Sequence, residues 1–290
     1  MADSETYLLL LLSDSNLPTG SFVASSGLES FLKHGFGTPP LTQPSANLKL
    51  DTIATFMRDS LGTYAPSALP FVSDAYTIVD RLRCAEINQE FEKALTLPEL
   101  CELDELYECM TLNHVARRAS KAQGVALLSL YSKGFSKPPG SAFSYVSDSG
   151  GQDEDAMSGL VNAMKLMVRR GDKGAHGHLP VCWGVLCAAL GLSLERTQHL
   201  HLYLHARSLL SAAVRLNSIG PYAAQQLLLH VAGGFVDAEL LRCARLRTGV
   251  LAKEADSEWD ETKDGPVNTW PLGEILAARH DLQHSRIFNS

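Results

Sequence analysis

One stretch constrains the fold more than any other, residues 178–225. From Glu195 to about Asn217 the chain runs without Gly or Pro, and apolar residues fall on every side of the implied helix: Leu200, Leu202, Tyr203, Leu204, Leu209, Leu210, Val214 and Leu216. A helix that is apolar all round is normally enclosed by other helices. Small residues (Ala206, Ser208, Ser211, Ala212, Ala213) allow those neighbours to approach closely. The preceding helix stops at Leu190-Gly191, where Gly191 can take a positive φ beyond the last turn, and Ser193 is placed to cap the next one. Gly220-Pro221 breaks the chain again before a further helix at Tyr222. This hairpin is the expected core.

The same periodicity recurs elsewhere. Helices are expected over 21–34 and 48–64, with one or two more over 66–92, Pro70 lying near the start of one. Pro98 is read as the first turn of a long helix whose stripe runs Leu103, Leu106, Met110, His114, Arg117, Lys121, Val125, Leu128. Further helices are expected over 157–170 and 222–248. Convincing period-2 strands are absent. The expectation is an all-α chain: a single-domain helical bundle of about eight to ten helices over residues 1–290. Residues 132–157 are rich in Ser, Gly and Pro, and 253–268 carry six acids against two lysines, so both are read as flexible insertions. The C-terminal 279–290 is read as a partner-docking tail that orders on binding.

A net charge of −7, with no basic block interleaved with aromatics, argues against nucleic acid or an anionic membrane as the main partner. Six cysteines without a CxxC pair suit a reducing, cytoplasmic compartment. The apolar run Tyr7 to Leu12 lacks the length and basic flank of a signal peptide, and no run of 18 apolar residues exists.

Candidate chemistry is sparse. His201 and His205 have the i, i+4 spacing that places two imidazoles on one helix face, with His199 beside them. His176 and His178 add a loop pair, and His280 and His284 repeat the i, i+4 spacing near the terminus. A helical metal-binding enzyme using the His201/His205 face is therefore the alternative reading, weighed against histidines at a surface or interface. No GxSxG elbow and no GxxxxGK[ST] phosphate loop is present. Carboxylates Glu102, Asp104 and Glu105 sit where a solvated helix face is expected. His114, Arg117, Arg118 and Lys121 form either a basic docking strip or an ordinary solvated face.

Four segments, taken in order, resemble the urease accessory protein F (UreF) family. Leu10-Leu11-Leu12-Ser13-Asp14, Leu17-Pro18-Thr19-Gly20-Ser21-Phe22 and Ser26-Gly27-Leu28-Glu29 are similar to its opening. Leu179-Pro180-Val181 through Ala188-Ala189-Leu190-Gly191 is similar to its P-V-x-x-G-x-x-x-A-A-L-G segment. Ser211 to Leu216 with Ile219-Gly220 and Gln225 resembles its A-A-V-R-L segment. Arg279-His280 with Gln283 and Ser285-Arg286-Ile287-Phe288 resembles its terminus. The resemblance marks Pro18, Gly20, Ser21, Gly27, Glu29, Gly191, Arg215, Gly220 and Gln225 as motif positions.

The resemblance implies an all-helical, homodimer-forming assembly factor rather than an enzyme. It implies cytosolic work with a second accessory protein (UreD, also called UreH), the UreG GTPase and apo-urease, into which nickel is loaded. No cofactor is expected to stay bound; nickel is handled in transit. The implied docking residues are Phe22, Arg279, His280, Ser285, Arg286, Ile287 and Phe288, with Arg286 and Phe22 central to contact with the D/H partner. The two insertions suggest a eukaryotic, fungal-like member. Ser218 stands where the family has proline, and His284 where a tyrosine is common.

Overall fold

The computed structural model describes residues 4–19, 21–36, 46–85, 89–135, 151–251 and 259–289. Every regular element among them is helical. In chain order these are α1 (Ser4–Leu12), α2 (Leu28–Lys33), α3 (Ala46–Cys84), α4 (Gln89–Met110), α5 (His114–Leu130), α6 (Gly151–Arg170), α7 (Leu179–Ala189), α8 (Leu194–Arg215), α9 (Pro221–Leu227), α10 (Gly233–Cys243), α11 (Glu261–Asp264) and α12 (Pro271–Ala278). Short turns α2 and α11 bring the segments above the eight to ten expected; the all-α class stands.

The axis of the molecule is α3 rather than the α7–α8 hairpin. Its first half (Ile53, Phe56, Met57, Leu61, Ala65, Leu69) packs with α8, α9, α10 and α2 in one apolar cluster. Its second half (Phe71, Val72, Ala75, Ile78, Val79, Leu82) packs with α4, α5, α6 and α7 in another. The helix enclosed on all sides is α7, buried at every residue from Pro180 to Cys187, whereas α8 opens to solvent at Glu195, Arg196 and His199. At Gly184 α7 meets α3 so closely that a Cβ would lie 2.6 Å from the Val72 carbonyl oxygen. Only hydrogen fits there.

Sequence reading divides α3 at its prolines; the helix runs through both, over 39 residues. An interior proline has no N–H for the carbonyl four residues back and normally costs about 3 kcal/mol. Pro66 thus frees the Gly62 oxygen, and Pro70 frees the Pro66 oxygen. Each is taken up from outside the helix: Arg242 Nη2 on α10 donates to Gly62 O, and the Val267 amide donates to Pro66 O at 3.2 Å. The prolines therefore become attachment points instead of breaks.

Two other boundaries differ. The stripe expected as one helix from Pro98 is α4 and α5, with Pro98 inside α4. Asn113 makes the corner, its side-chain oxygen accepting from the Val115 and Ala116 amides at 3.0 and 3.3 Å. Arg117 braces it by donating to the Thr111 and Glu108 carbonyls. The expected insertion 132–157 lies partly outside the described residues, but α6 already begins at Gly151. The second, 253–268, is tied down over its described part: Asp260 caps α11, and the Arg247 amide donates to Asp264 O at 2.9 Å.

Candidate functional site

The expected docking residues come together where the C-terminal segment 279–289 crosses α2, the N-terminal turn 21–23, the start of α5 and the end of α8. It is a docked strap, not a frayed end. Gly27, with φ +85, enters α2 and leaves room for Ala277 of α12, whose Cβ is 3.7 Å from where a glycine substituent would sit. That turn aims Glu29 inward, where it is 0 % exposed. The carboxylate accepts from the Ile287 amide at 2.8 Å and the Phe288 amide at 3.1 Å, with Lys33 Nζ at 3.0 Å. Burial alone would raise the Glu29 pKa; these donors outweigh it and hold the pKa below its ordinary value.

Phe288, 2 % exposed, plugs into the α3–α8 cluster. The Arg215 guanidinium lies between two rings, 3.9 Å from the Phe22 centroid and 4.2 Å from the Phe288 centroid, and donates to the Phe22 carbonyl. Such stacking fixes both aromatics. His280, also buried, places Nε2 3.1 Å from the Phe288 carbonyl oxygen. Gln283 donates to Ser30 Oγ at 2.7 Å, Lys33 to the Ser285 carbonyl, and Arg279 Nε to His34 Nε2 at 3.0 Å. The Asn289 amide closes the strap on Val23 O at 2.9 Å.

The supposed basic strip on α5 belongs to this site. Arg118 grips the Asp281 carboxylate with two 2.9 Å bonds and the Asn289 carbonyl with one of 2.8 Å. His114 Nε2 stands 3.3 Å from Asp281, and Arg286 donates to it at 2.8 Å. The Arg118 bonds, aided by the Arg286 charge, hold the Asp281 carboxyl far below its usual range. Lys121 instead pairs with Glu108 at 2.8 Å. Neither a free docking strip nor a merely solvated face describes these four residues.

The expected docking residues thus split. Phe22 and Ile287, 65 and 61 % exposed, face outward with Arg279, Ser285 and Arg286. His280 and Phe288 are internal struts, out of a partner's reach. Among the motif positions, Glu29, Gly27 and Arg215 build the strap's seat. Gly191 (φ +78) closes α7 with the Leu192 amide bonding Cys187 O at 3.0 Å. Gly220 precedes Pro221 at the α9 start with an ordinary negative φ, and Gln225 and Pro18 are exposed. Ser21 Oγ lies 3.1 Å from Thr19 Oγ1; Gly20 is outside the described residues. Ser193 starts α8 by position, but its hydroxyl is bound to Glu5 rather than to the helix.

The histidine pairs do not converge. His201 Nε2 is 3.0 Å from the Tyr64 hydroxyl and His205 Nε2 is 2.9 Å from Ser60 Oγ, each taking the nitrogen that a surface pair would offer a cation. Burial lowers their pKa values to about 3 and about 4. His201 is interior and His205 is half-buried beside it, so neither is an open surface ligand. His178 bonds Glu108 at 2.7 Å and His176 bonds Glu105 at 2.8 Å. Asp104, expected on a solvated face, is fully buried and receives the amides of residues 176, 177 and 178 at 2.7, 2.6 and 3.0 Å. Among the described residues no group of three or more His, Cys, Asp or Glu is arranged to hold a metal ion.

A family model described as UreF matches residues 49–232. Over 99 % of its length the chain is 45 % identical to the urease accessory protein 6 of Cryptococcus neoformans var. grubii, 97 % of which is covered. It is 30 % identical to an uncharacterized urease accessory protein UreF-like of Schizosaccharomyces pombe, with both chains covered completely. It is 26 % identical to the urease accessory protein F of Arabidopsis thaliana over 96 % of this chain and 90 % of that one. The matched span runs from α3 to the turn before α10 and leaves out both Phe22 and the strap.

Proposed function

The chain belongs to the UreF family, and from that membership we propose that it serves urease maturation as a docking factor rather than as a catalyst. Its relatives are named as urease accessory proteins. In this reading it bridges a UreD/UreH-type protein and a UreG-type GTPase, works as a homodimer within that assembly, and regulates GTP-dependent delivery of nickel to apo-urease. Nickel passes with the partners and is substrate, not a resident cofactor. The compartment proposed is the cytoplasm; all six cysteines are unpaired, and no described helix is long and apolar enough to cross a membrane.

The observation that supports docking most is the strap's division of labour. Anchors on its inner side hold Phe22, Arg286 and Ile287 outward on a fixed frame, so little ordering entropy remains to be lost on association. Exposed aromatic and aliphatic anchors beside an arginine fork are the groups that dominate interface energies.

The test is co-expression with the D/H-type protein of the same source, read by size exclusion with light scattering. A stable heteromer is expected, lost in the doubly substituted chain Arg286→Ala, Ile287→Ala. Removal of 279–290 is the poorer test, because it takes Phe288 out of the α3–α8 cluster and strands Glu29. A heteromer that survives the double substitution overturns the assignment of this surface; a wild-type chain that never joins the partner overturns the docking role.

A further inference from the structure

A cavity of about 510 Å³ lies between α3, α5, α8 and α12, apart from the strap's outer face. It is a cleft partly open to solvent, bordered also by residues of the 12–27 segment, and its volume falls within the size range of small-molecule sites.

Its wall has a distinct chemistry. Trp183, His201, Tyr64 and His205 line it as a run of flat rings: Tyr64 stacks on His205 with centroids 4.2 Å apart and planes 12° apart, and on His201 at 5.4 Å. Trp183 continues the run 5.7 Å from His201. Beside Tyr64 on α3, hydroxyls whose protons are already used also line it. Thr63 Oγ1 donates to Asp59 O at 3.1 Å and Ser67 Oγ to Tyr64 O at 3.0 Å, which leaves oxygen lone pairs as acceptors. The Tyr64–His201 and Ser60–His205 pairs can exchange donor and acceptor roles by tautomer.

Three charged side chains share the lining, two acids and one base. Arg207 donates to the Ser13 carbonyl, Glu274 accepts from Asn268 at 2.6 Å and Asp14 accepts from the Asn16 amide at 2.9 Å, so each is held by a neutral group rather than by an opposite charge. Their sum is acidic and disfavours an anion, while burial keeps the imidazoles of the ring wall neutral. That wall offers flat apolar surface and hydrogen-bond acceptors without a charge to pair with an ion.

We propose that this cavity is a binding site for a neutral, planar, ring-bearing small molecule that carries an N–H or O–H donor. The ring lies against the Tyr64–His205 wall and its donor meets the α3 hydroxyls. This site is independent of the partner-docking reading.

The test uses the full chain and three probes followed by ligand-observed NMR and calorimetry. Indole, flat with one N–H, is expected to bind saturably in the millimolar range. N-methylindole, which lacks the donor, is expected to bind about tenfold more weakly, and benzenesulfonate, flat but anionic, not to bind. Ser208→Trp fills the cavity from α8 and is expected to abolish indole binding while circular dichroism stays unchanged. If that variant does not fold, Ala119→Leu on α5 serves the same end. Absence of saturable indole binding, equal affinity for all three probes, or undiminished binding in a folded cavity-filled variant overturns the proposal.

Discussion

Glu29→Ala is the sharpest test of how the strap is held. The substitution removes the acceptor for the Ile287 and Phe288 amides and the partner of Lys33. A buried donor left without a partner costs about 1–3 kcal/mol, and breaking a buried charged pair about 3–5 kcal/mol. Lys33 is partly exposed and can turn to water, so its share is small. The two stranded amides then set the expected loss at about 2–6 kcal/mol, confined to the strap. Native-state hydrogen exchange reads it directly: the amides of Ile287 and Phe288 should exchange roughly thirty to twenty thousand times faster, while those of α7 stay unchanged. Glu29→Gln keeps one carbonyl oxygen and should fall between the two. Unchanged exchange at 287 and 288 in Glu29→Ala would refute the anchoring role.

The same carboxylate sets a pH dependence. Its pKa is lower when folded, so its contribution is fully present above the ordinary value of 4.5 and disappears as pH falls through the folded value. The strap should therefore loosen in acid before the α3–α7 core does.

Three further outcomes follow from the fold. Gly184→Ala places a methyl 2.6 Å from Val72 O and should cost at least about 1–3 kcal/mol by overpacking, visible as a lowered midpoint in urea. Arg242→Ala should destabilise the chain by up to about 1 kcal/mol, but markedly less once Pro66→Ala restores an amide to Gly62 O; an additive double-mutant cycle would contradict that coupling. His201 and His205 titrate at about 3 and about 4 when folded, chiefly through burial, against 6.5 when unfolded. The unfolded chain then binds more protons between pH 4 and 6.5, so stability rises with pH across that window, and is lost as pH falls, by up to about 2.7 kcal/mol per unit for two sites. Denaturation at several pH values should show His205→Asn reducing that slope, and an unchanged slope would place the titrating group elsewhere.

What the sequence made legible is what local chemistry determines. Gly191 ends α7 because only a residue tolerant of positive φ closes that turn, and the gap-free run after Ser193 is one helix because nothing within it breaks one. Pro66 and Pro70 misled for the same local reason: their lost bonds are replaced by Arg242 and Val267, roughly two hundred residues away in sequence, which no window of neighbours contains. The α4–α5 corner was hidden because the helical spacing of the stripe continues across it from Met110 through His114 and Arg117, while Asn113 makes its cap with a single side chain. Asp104 reads as one acid among several on a helix face; only the folded 174–178 loop brings three amides onto it.

The strap shows how a terminal segment can be both internal and external. Beyond Leu282 the chain is extended at Gln283, with ψ 136, and then bends at residues 284–285 and again at 287–288, so successive side chains are turned to different sides. Gln283 and Phe288 turn inward to Ser30 and the α3–α8 cluster, while residues 284–287 stay exposed. The expectation that a tail rich in Arg, Ile and Phe would order only on a partner treated these residues as one set. They are two sets, and they should separate in experiment. Changes at Gln283, Phe288 or Glu29 should raise strap exchange and weaken docking together, because the outward groups lose their frame. Changes at Arg286 or Ile287 should weaken docking with exchange nearly unchanged, apart from the one bond Arg286 makes to Asp281. If inner and outer substitutions instead affect exchange alike, the strap is held as a whole by its surface contacts, and Phe288 and Glu29 are not its anchors.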